Sequence, residues 1–551
     1  MASPSQLAFL NTLSIHPSFT SRLGQNLTND IAGRALAYLR AVLSLTGPID
    51  SGIRSAFLFR RGSAGGGRYS SHTDSGDSGN ESDCIEGRLA KEHSVWRRAG
   101  DFWSALGWAF HCASAHPHRW RYWKAWLGYM VDVLETDWDI RFSLDEETSG
   151  NRGPKGVWKM LRGSLLVAYL GDLRRERKSP PRETMRALMA FTDDDPSDKA
   201  VYREIFEREL TMGPRRNKRK RTGTVGEPEQ IPLDKMMDWS ADSLDSDSDP
   251  DSNDENLHHS DSPTPRKPRR GGLKPLRGRR GKPGRADRSD SPSSTFRISN
   301  GINDSVPLRL RLFRLLSAAA NYVPQYFCSV DDLYESFADR VRGLPLSMFR
   351  VFVESQADNL PDFIQISLLR QVADGLLPNN RPDPYKVDPK IEEAHGISSA
   401  ILERCYLPFA AGRVTPEDNA KLALVLQSML WLLCMNTEHP PARLVGLETA
   451  VEEGIAAREG RTRRRNNGFT GADKEAQGVL ERSARTMRTY FRYFKQVGEE
   501  AEKEDDGQEV SMAEGCNVSL LVSHKGKDAP ASRGDMSMSP GKAMAMSAET
   551  A

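Results

Sequence analysis

The sequence predicts an all-α protein: two helical blocks of antiparallel helix hairpins, a long disordered linker between them, and a disordered C-terminal tail. Three observations carry this. Apolar residues recur at helical spacing through 1–59, 86–212 and 306–505, and long alternating strand patterns are missing. Breakers such as His116-Pro117, Ser179-Pro180-Pro181 and Asp194-Asp195-Pro196 cut these stretches into helix-sized pieces. Residues 213–305 then turn abruptly polar and charged, over a span too long for an ordered loop.

Composition agrees. The 551 residues allow about three or four domains. With 38% hydrophobic and 28% charged residues, however, part of the chain cannot bury enough apolar surface to fold. The expected order is N-terminal helices at 1–59, a disordered loop at 60–85, and a tryptophan-rich block at 86–212 that packs with 1–59. The linker at 213–305, a C-terminal block at 306–505 and the tail at 506–551 follow.

Taken in order, "TNDIAGRALAYLRAVLSLTG" offers Thr28 as an N-cap and closes on Gly47 and Pro48, as a helix should. Residues 60–83 are rich in Gly, Ser and charge and have nothing to bury. Further helices are expected near 87–115, 118–136, 155–174, 182–193 and 197–211. After the linker, Ser329 stands where a cap belongs, with Asp331 and Asp332 in the first turn. Thr415, Pro416, Glu417 and Asp418 give three agreeing start signals for the next long helix. Two more helices are expected near 441–464 and 472–501. The apolar run at 422–435 has fourteen residues, short of the roughly 20 that span a bilayer, so it reads as a core helix and no membrane partner is expected.

Eight of the ten tryptophans lie between Trp96 and Trp158. On a helical wheel over 120–138, Trp120, Trp123, Trp126, Leu127, Met130, Val133, Leu134 and Trp138 share one side with Tyr122, Tyr129 and Val131. Arg121, Lys124, Gly128, Asp132 and Glu135 fill the remaining sector. An apolar arc of about 200° is wider than a surface helix needs and predicts contact with several neighbours, hence a core. The alternative is an aromatic groove for a partner peptide, since Trp is favoured at binding hot spots.

Trp103-x-x-Leu106-Gly107-x-x-Phe110 resembles the first half of a tetratricopeptide repeat. The resemblance implies solenoid-like stacking of the tetratricopeptide or HEAT type. The second half does not follow, because the small residues it requires fall on Arg119 and Trp126, and no family is assigned.

The chemistry-bearing patterns are sparse. His111, Cys112, His116 and His118 are zinc-ligand types within eight residues, but Pro117 breaks the helix between them and no second cysteine is near. A helix–helix corner is the reading, and no metal or other cofactor is expected. "GSAGGGR" at 62–68 lacks the strand–loop–helix context of a phosphate cradle. No nucleotide, hydrolase or zinc-protease motif appears, so the chain is not expected to be an enzyme. The six cysteines are scattered without a CxxC pair, which fits a reducing compartment.

The linker carries the strongest signals. Arg215, Arg216, Lys218, Arg219, Lys220 and Arg221 form a run that resembles a monopartite nuclear import signal. Nine acids and no Lys or Arg follow between Asp238 and Asp261. From Arg266 to Arg288 there are eleven basic residues and one acid. Within this stretch Arg266, Lys267, Arg269, Arg270, Arg277, Arg279, Arg280, Lys282 and Arg285 are candidate nucleic-acid contacts. Arg277-Gly278-Arg279 is similar to an AT-hook core, with Arg280 where that motif has proline. Ser262, Thr264 and Ser291 precede prolines and resemble proline-directed phosphorylation sites.

Together these predict a nuclear scaffold or adaptor. Its helical blocks bind protein partners, and a phosphorylatable basic linker gives import and auxiliary DNA or RNA contact. The alternative is a chromatin- or RNA-processing factor whose main ligand is nucleic acid, helped by the basic run at 458–468. An enzyme without a recognisable motif ranks third. The nucleus is the expected compartment, with the cytoplasm second. The Ser-rich, acid-poor N-terminus leaves the mitochondrion a minor alternative.

Overall fold

The structure, a computed structural model, describes residues 2–20, 30–59, 85, 89–90, 93–149, 158–191, 202, 204–207, 210, 300–413, 415–435, 444–463 and 471–509. Among these residues there are helices and no strand. Before the linker they are α1 (Pro4–Leu13), α2 (Pro17–Thr20), α3 (Ile31–Asp50), α4 (Ile53–Ala56), α5 (Val95–Arg98), α6 (Phe102–Ala115), α7 (Pro117–Ser149), α8 (Lys159–Arg162), α9 (Leu165–Arg175) and α10 (Pro180–Leu188). After it come α11 (Asn300–Tyr322), α12 (Val330–Arg342), α13 (Leu346–Asn359) and α14 (Asp362–Leu376). Three short helices follow, α15 (Pro384–Val387), α16 (Pro389–Glu393) and α17 (Ser399–Ile401), then a π-helical turn at Leu402–Tyr406. The last three are α18 (Pro416–Met435), α19 (Leu444–Arg463) and α20 (Gly471–Glu509). The segments at 60–84, 211–299 and 510–551 lie outside the described residues. At their edges helix replaces expected disorder: α11 starts at Asn300 and α20 runs to Glu509.

The caps explain most boundaries. Ser329 accepts from the Asp332 amide at 3.1 Å, and Thr415 accepts from the Asp418 amide at 3.0 Å, both as expected. Thr28 lies outside the described residues, and α3 is capped instead by Asp30, which accepts from the Gly33 amide at 2.9 Å. Gly47 leaves helical geometry with φ +68°, a conformation glycine adopts without a Cβ clash, so the Gly47-Pro48 break falls where the sequence places it.

Elsewhere the expected helices are divided or moved. The stretch 87–115 becomes α5 and α6, parted at Gly100 (φ +78°), after which Asp101 accepts from the Ser104 amide at 2.8 Å. The stretch 155–174 becomes α8 and α9, with Ser164 capping the second. The helix expected at 118–136 continues to Ser149, while that expected at 182–193 starts at Pro180 and ends at Leu188. Near 197–211 only six residues are described, and they match the expected helix in part. Tyr202, Glu204, Ile205 and Phe206 sit in bends, turns and irregular backbone, and of the described residues there only Glu207 and Leu210 are helical.

The tryptophan helix is core. Trp120, Trp123, Trp126, Leu127, Tyr129, Met130, Val131, Val133, Leu134 and Trp138 are buried, and Tyr122 is half-buried. Helix α7 packs against α3, α6, α8 and α11, which is why its apolar arc is so wide. Each buried ring stabilises by roughly 2–3 kcal/mol. Polar tips find specific partners: Trp126 donates to Asn11 Oδ1 at 2.8 Å, Trp103 to the Tyr169 carbonyl at 3.2 Å, and the Tyr169 hydroxyl to the Phe57 carbonyl at 2.8 Å.

Two buried acids on α7 start the next helices. Asp145 accepts from the Met160 and Leu161 amides, each at 2.9 Å. Asp137 accepts from the Leu165 amide and from Arg141 Nε, each at 2.7 Å. The orphan amides at the beginnings of α8 and α9 are thus satisfied by carboxylates two turns apart on one helix.

Past the linker, α11 packs on α6 and α7. Arg311 bonds Asp132 at 2.7 Å and also reaches Glu135, and Arg314 bonds Glu135 at 3.0 Å. The apolar run of α18 is buried against α13, α14 and α20. Among the described residues no helix is long and apolar enough to cross a membrane. The described helices on both sides of the linker belong to one compact unit, separate from residues 225–294.

Candidate functional site

The described residues gather side chains of mixed chemistry at the corner where α6 meets α7. The corner is the single residue His116, whose carbonyl accepts from the Arg119 and Trp120 amides at 2.9 Å each. Pro117 starts α7 without needing an amide partner. Across this hairpin lie Tyr202, Glu204, Ile205 and Phe206, whose described backbone is bend, turn or irregular.

Ile205 and Phe206 join the buried core, and Tyr202 and Glu204 contact the two helices. The Tyr202 ring lies on Gly107 of α6, where any Cβ would overlap it. Glu204 pairs with Arg119 of α7, and its Oε1 accepts the Phe206 amide at 3.2 Å. Phe206 is fully buried, edge-on to His16 at 4.9 Å and tilted against Trp123 at 6.5 Å between ring centres. Burial raises the Glu204 carboxyl above its ordinary range, with Arg119 opposing that shift.

The floor keeps donors in reserve. Trp108 Nε1, Trp120 Nε1, Trp123 Nε1 and Arg119 Nη2 are buried without a hydrogen-bond partner. Burial also pushes the Cys112 thiol far up, so it stays protonated and is a poor nucleophile. Of the zinc-ligand types noted in the sequence, His111 and Cys112 are buried while His116 and His118 are exposed. No group of three or more His, Cys, Asp or Glu suited to a metal forms among the described residues. The corner thus brings together the Arg119 guanidinium, buried indole rings and a glycine covered by the Tyr202 ring.

The import run 215–221, the nucleic-acid contacts 266–285 and Ser262, Thr264 and Ser291 lie outside the described residues. The basic run at 458–468 is placed in part, and not as free charge. Arg458 is fully buried and donates to the Leu407 and Phe409 carbonyls at 3.2 and 3.0 Å, while Arg461 donates to the Ala411 carbonyl at 2.6 Å. These arginines close off the chain after the π-helical turn, so they are spent on the fold rather than on phosphates. Sequence reasoning missed Gly107, Arg119, Glu204 and Phe206 as one site. The only available signal was Gly107 inside an aromatic helix, which marks a close approach of another group.

The chain matches no protein-family model, no curated protein and no solved structure in the comparisons made.

Proposed function

We propose that this protein is a nuclear helical scaffold that binds protein partners through its helical body. Its charged linker supplies nuclear import and auxiliary contact with DNA or RNA. The observation that carries this reading is the insertion of the linker into one folded unit. Helix α10 before it and α11 after it are locked together by Arg309, which donates to the Leu188 and Ala190 carbonyls. Both ends of the charged segment therefore return to one core. Solenoid-like stacking of hairpins belongs to the same proposal, with α6 and α7, joined through one residue, as a stacking unit.

The experiment changes Arg215, Arg216, Lys218, Arg219, Lys220 and Arg221 to alanine in a tagged full-length chain. The variant is expected to shift from nucleus to cytoplasm. Mitochondrial residence of the parent chain would overturn the nuclear reading. A salt titration with duplex DNA separates scaffold from nucleic-acid factor. If nucleic acid is the main ligand, affinity falls steeply with salt and the 266–288 run accounts for most of the slope.

A further inference from the structure

We infer that the two halves of the folded unit, α1–α10 before residue 211 and α11–α20 after residue 299, meet at an exchangeable interface. The surface formed by α6, α7 and α10 accepts α11 of a second copy of this chain in place of its own, so that each copy lends its second half to the other. This goes beyond the scaffold reading, which requires no self-association, and it does not depend on nuclear residence.

The contacts between the halves are those of a subunit boundary, a packed apolar centre with specific polar pairs around it. Arg309 of α11 is fully buried, 4.0 Å from the Phe110 and Phe191 ring centres, and it donates to the Ala190 carbonyl at 2.8 Å. Gly301 comes so close to the end of α6 that a Cβ there would strike the Ala113 carbonyl. The Tyr322 ring sits against Phe142 and Trp158, at 4.9 and 5.1 Å between ring centres. Charge is complementary as well, acidic on α7 and basic on α11: Arg311 pairs with Asp132 and Glu135, and Arg314 with Glu135.

Three arguments make a second copy the occupant. The chain runs from one half to the other through residues 211–299, so closure in cis is an association held by a long tether. Such a tether gives the attached half an effective concentration of at most the order of millimolar, and a second copy competes wherever the protein is locally concentrated. An opened copy would bare the Arg309 guanidinium on one half, and on the other the rings and carbonyls that hold it together with Asp132 and Glu135. A second opened copy offers the mate of each. The exchanged pair then makes the same contacts across this interface as two closed copies, so tether and concentration set the balance between the two forms.

The test mixes two full-length variants. One carries Arg311→Glu and Arg314→Glu, the other Asp132→Arg and Glu135→Arg, so each sets like charges across its own interface and opposes its own closure. In an exchanged pair of the two, both interfaces are complementary again. The equimolar mixture, refolded together, should give a heterodimer of twice the chain mass by light scattering. Each variant alone should be at least about tenfold less dimeric at the same concentration, as loss of that complementarity requires. Folded variants that stay monomeric in the mixture, or that dimerise equally well alone, would overturn the inference. A second measurement, without charge reversal, decides the case in which the variants fail to fold. A chain with a specific protease site inserted between Ser240 and Ala241 is cut, and isotope-labelled and unlabelled samples are mixed. The halves should stay together in size exclusion and trade partners, giving mixed pairs in native mass spectrometry. Halves that separate on cutting, or that stay together without trading, would overturn it.

Discussion

Gly107→Ala tests the packing of the α6–α7 corner with one methyl group. Alanine is favoured over glycine in a helix interior by about 1 kcal/mol, yet its Cβ would overlap the Tyr202 ring. The overlap should win, and the variant should lose about 1–3 kcal/mol in urea unfolding, the scale of core overpacking. A variant as stable as the parent would show that the ring moves aside without cost. The same scale shows where sequence reading stops. Arg309, Arg311 and Arg314 lie together in "RLRLFRLL". Arg309 is fully buried, sandwiched 4.0 Å from the Phe110 and Phe191 rings, whereas Arg311 and Arg314 pair with acids of α7. Periodicity puts Arg309 on the same arc as its leucines, but nothing local reveals that the carbonyls ending α10 will be its partners. That information belongs to a contact across the linker.

Helix α7 was legible as core because its hydrophobic arc is a property of consecutive residues. Its buried acids were not, because Asp137 and Asp145 exist to cap α8 and α9, whose starts the sequence blurs into one helix. The spacing Asp137-Arg141-Asp145, one residue per turn, is the retrospective signal. Nearby Asp139 behaves differently. Burial pushes its carboxyl up to about 6, Glu135 adds to the shift and Arg314 opposes it. A folded pKa above the unfolded value means the protonated form is favoured by folding. The stabilisation is full below pH about 4 and is lost as pH rises through about 6. Asp139→Asn should therefore leave stability nearly unchanged at pH 4 and raise it at pH 7.5. The gain should be about 1 kcal/mol, after discounting for the solvent that still reaches this group. Urea midpoints at the two pH values measure it, and equal gains at both would show that the carboxylate is not the cause.

At the scale of the whole molecule, the proposed function makes the linker's charge order a testable variable, since the helices on both sides of it belong to one folded unit. Nine acids between Asp238 and Asp261 precede eleven basic residues between Arg266 and Arg288, and closure keeps the two runs on one tether. At physiological ionic strength screening acts over about 8 Å, so opposite runs attract only in near contact. Phosphorylation of Ser262, Thr264 and Ser291 would add roughly −5 charges beside those basic residues. Each neutralised cation removes one phosphate contact and its share of counterion release. The full chain, unmodified and triply phosphorylated, is to be titrated with duplex DNA at several salt concentrations. Phosphorylation should lower affinity and flatten the salt dependence together, since both come from the same released ions. Deleting 238–261 should do the reverse in the unmodified chain, tightening binding by removing the internal competitor. If phosphorylation leaves both affinity and slope unchanged, the basic run is not the contact. If only the deletion is without effect, the acidic run acts as a solvated spacer and the phosphates alone set the grip.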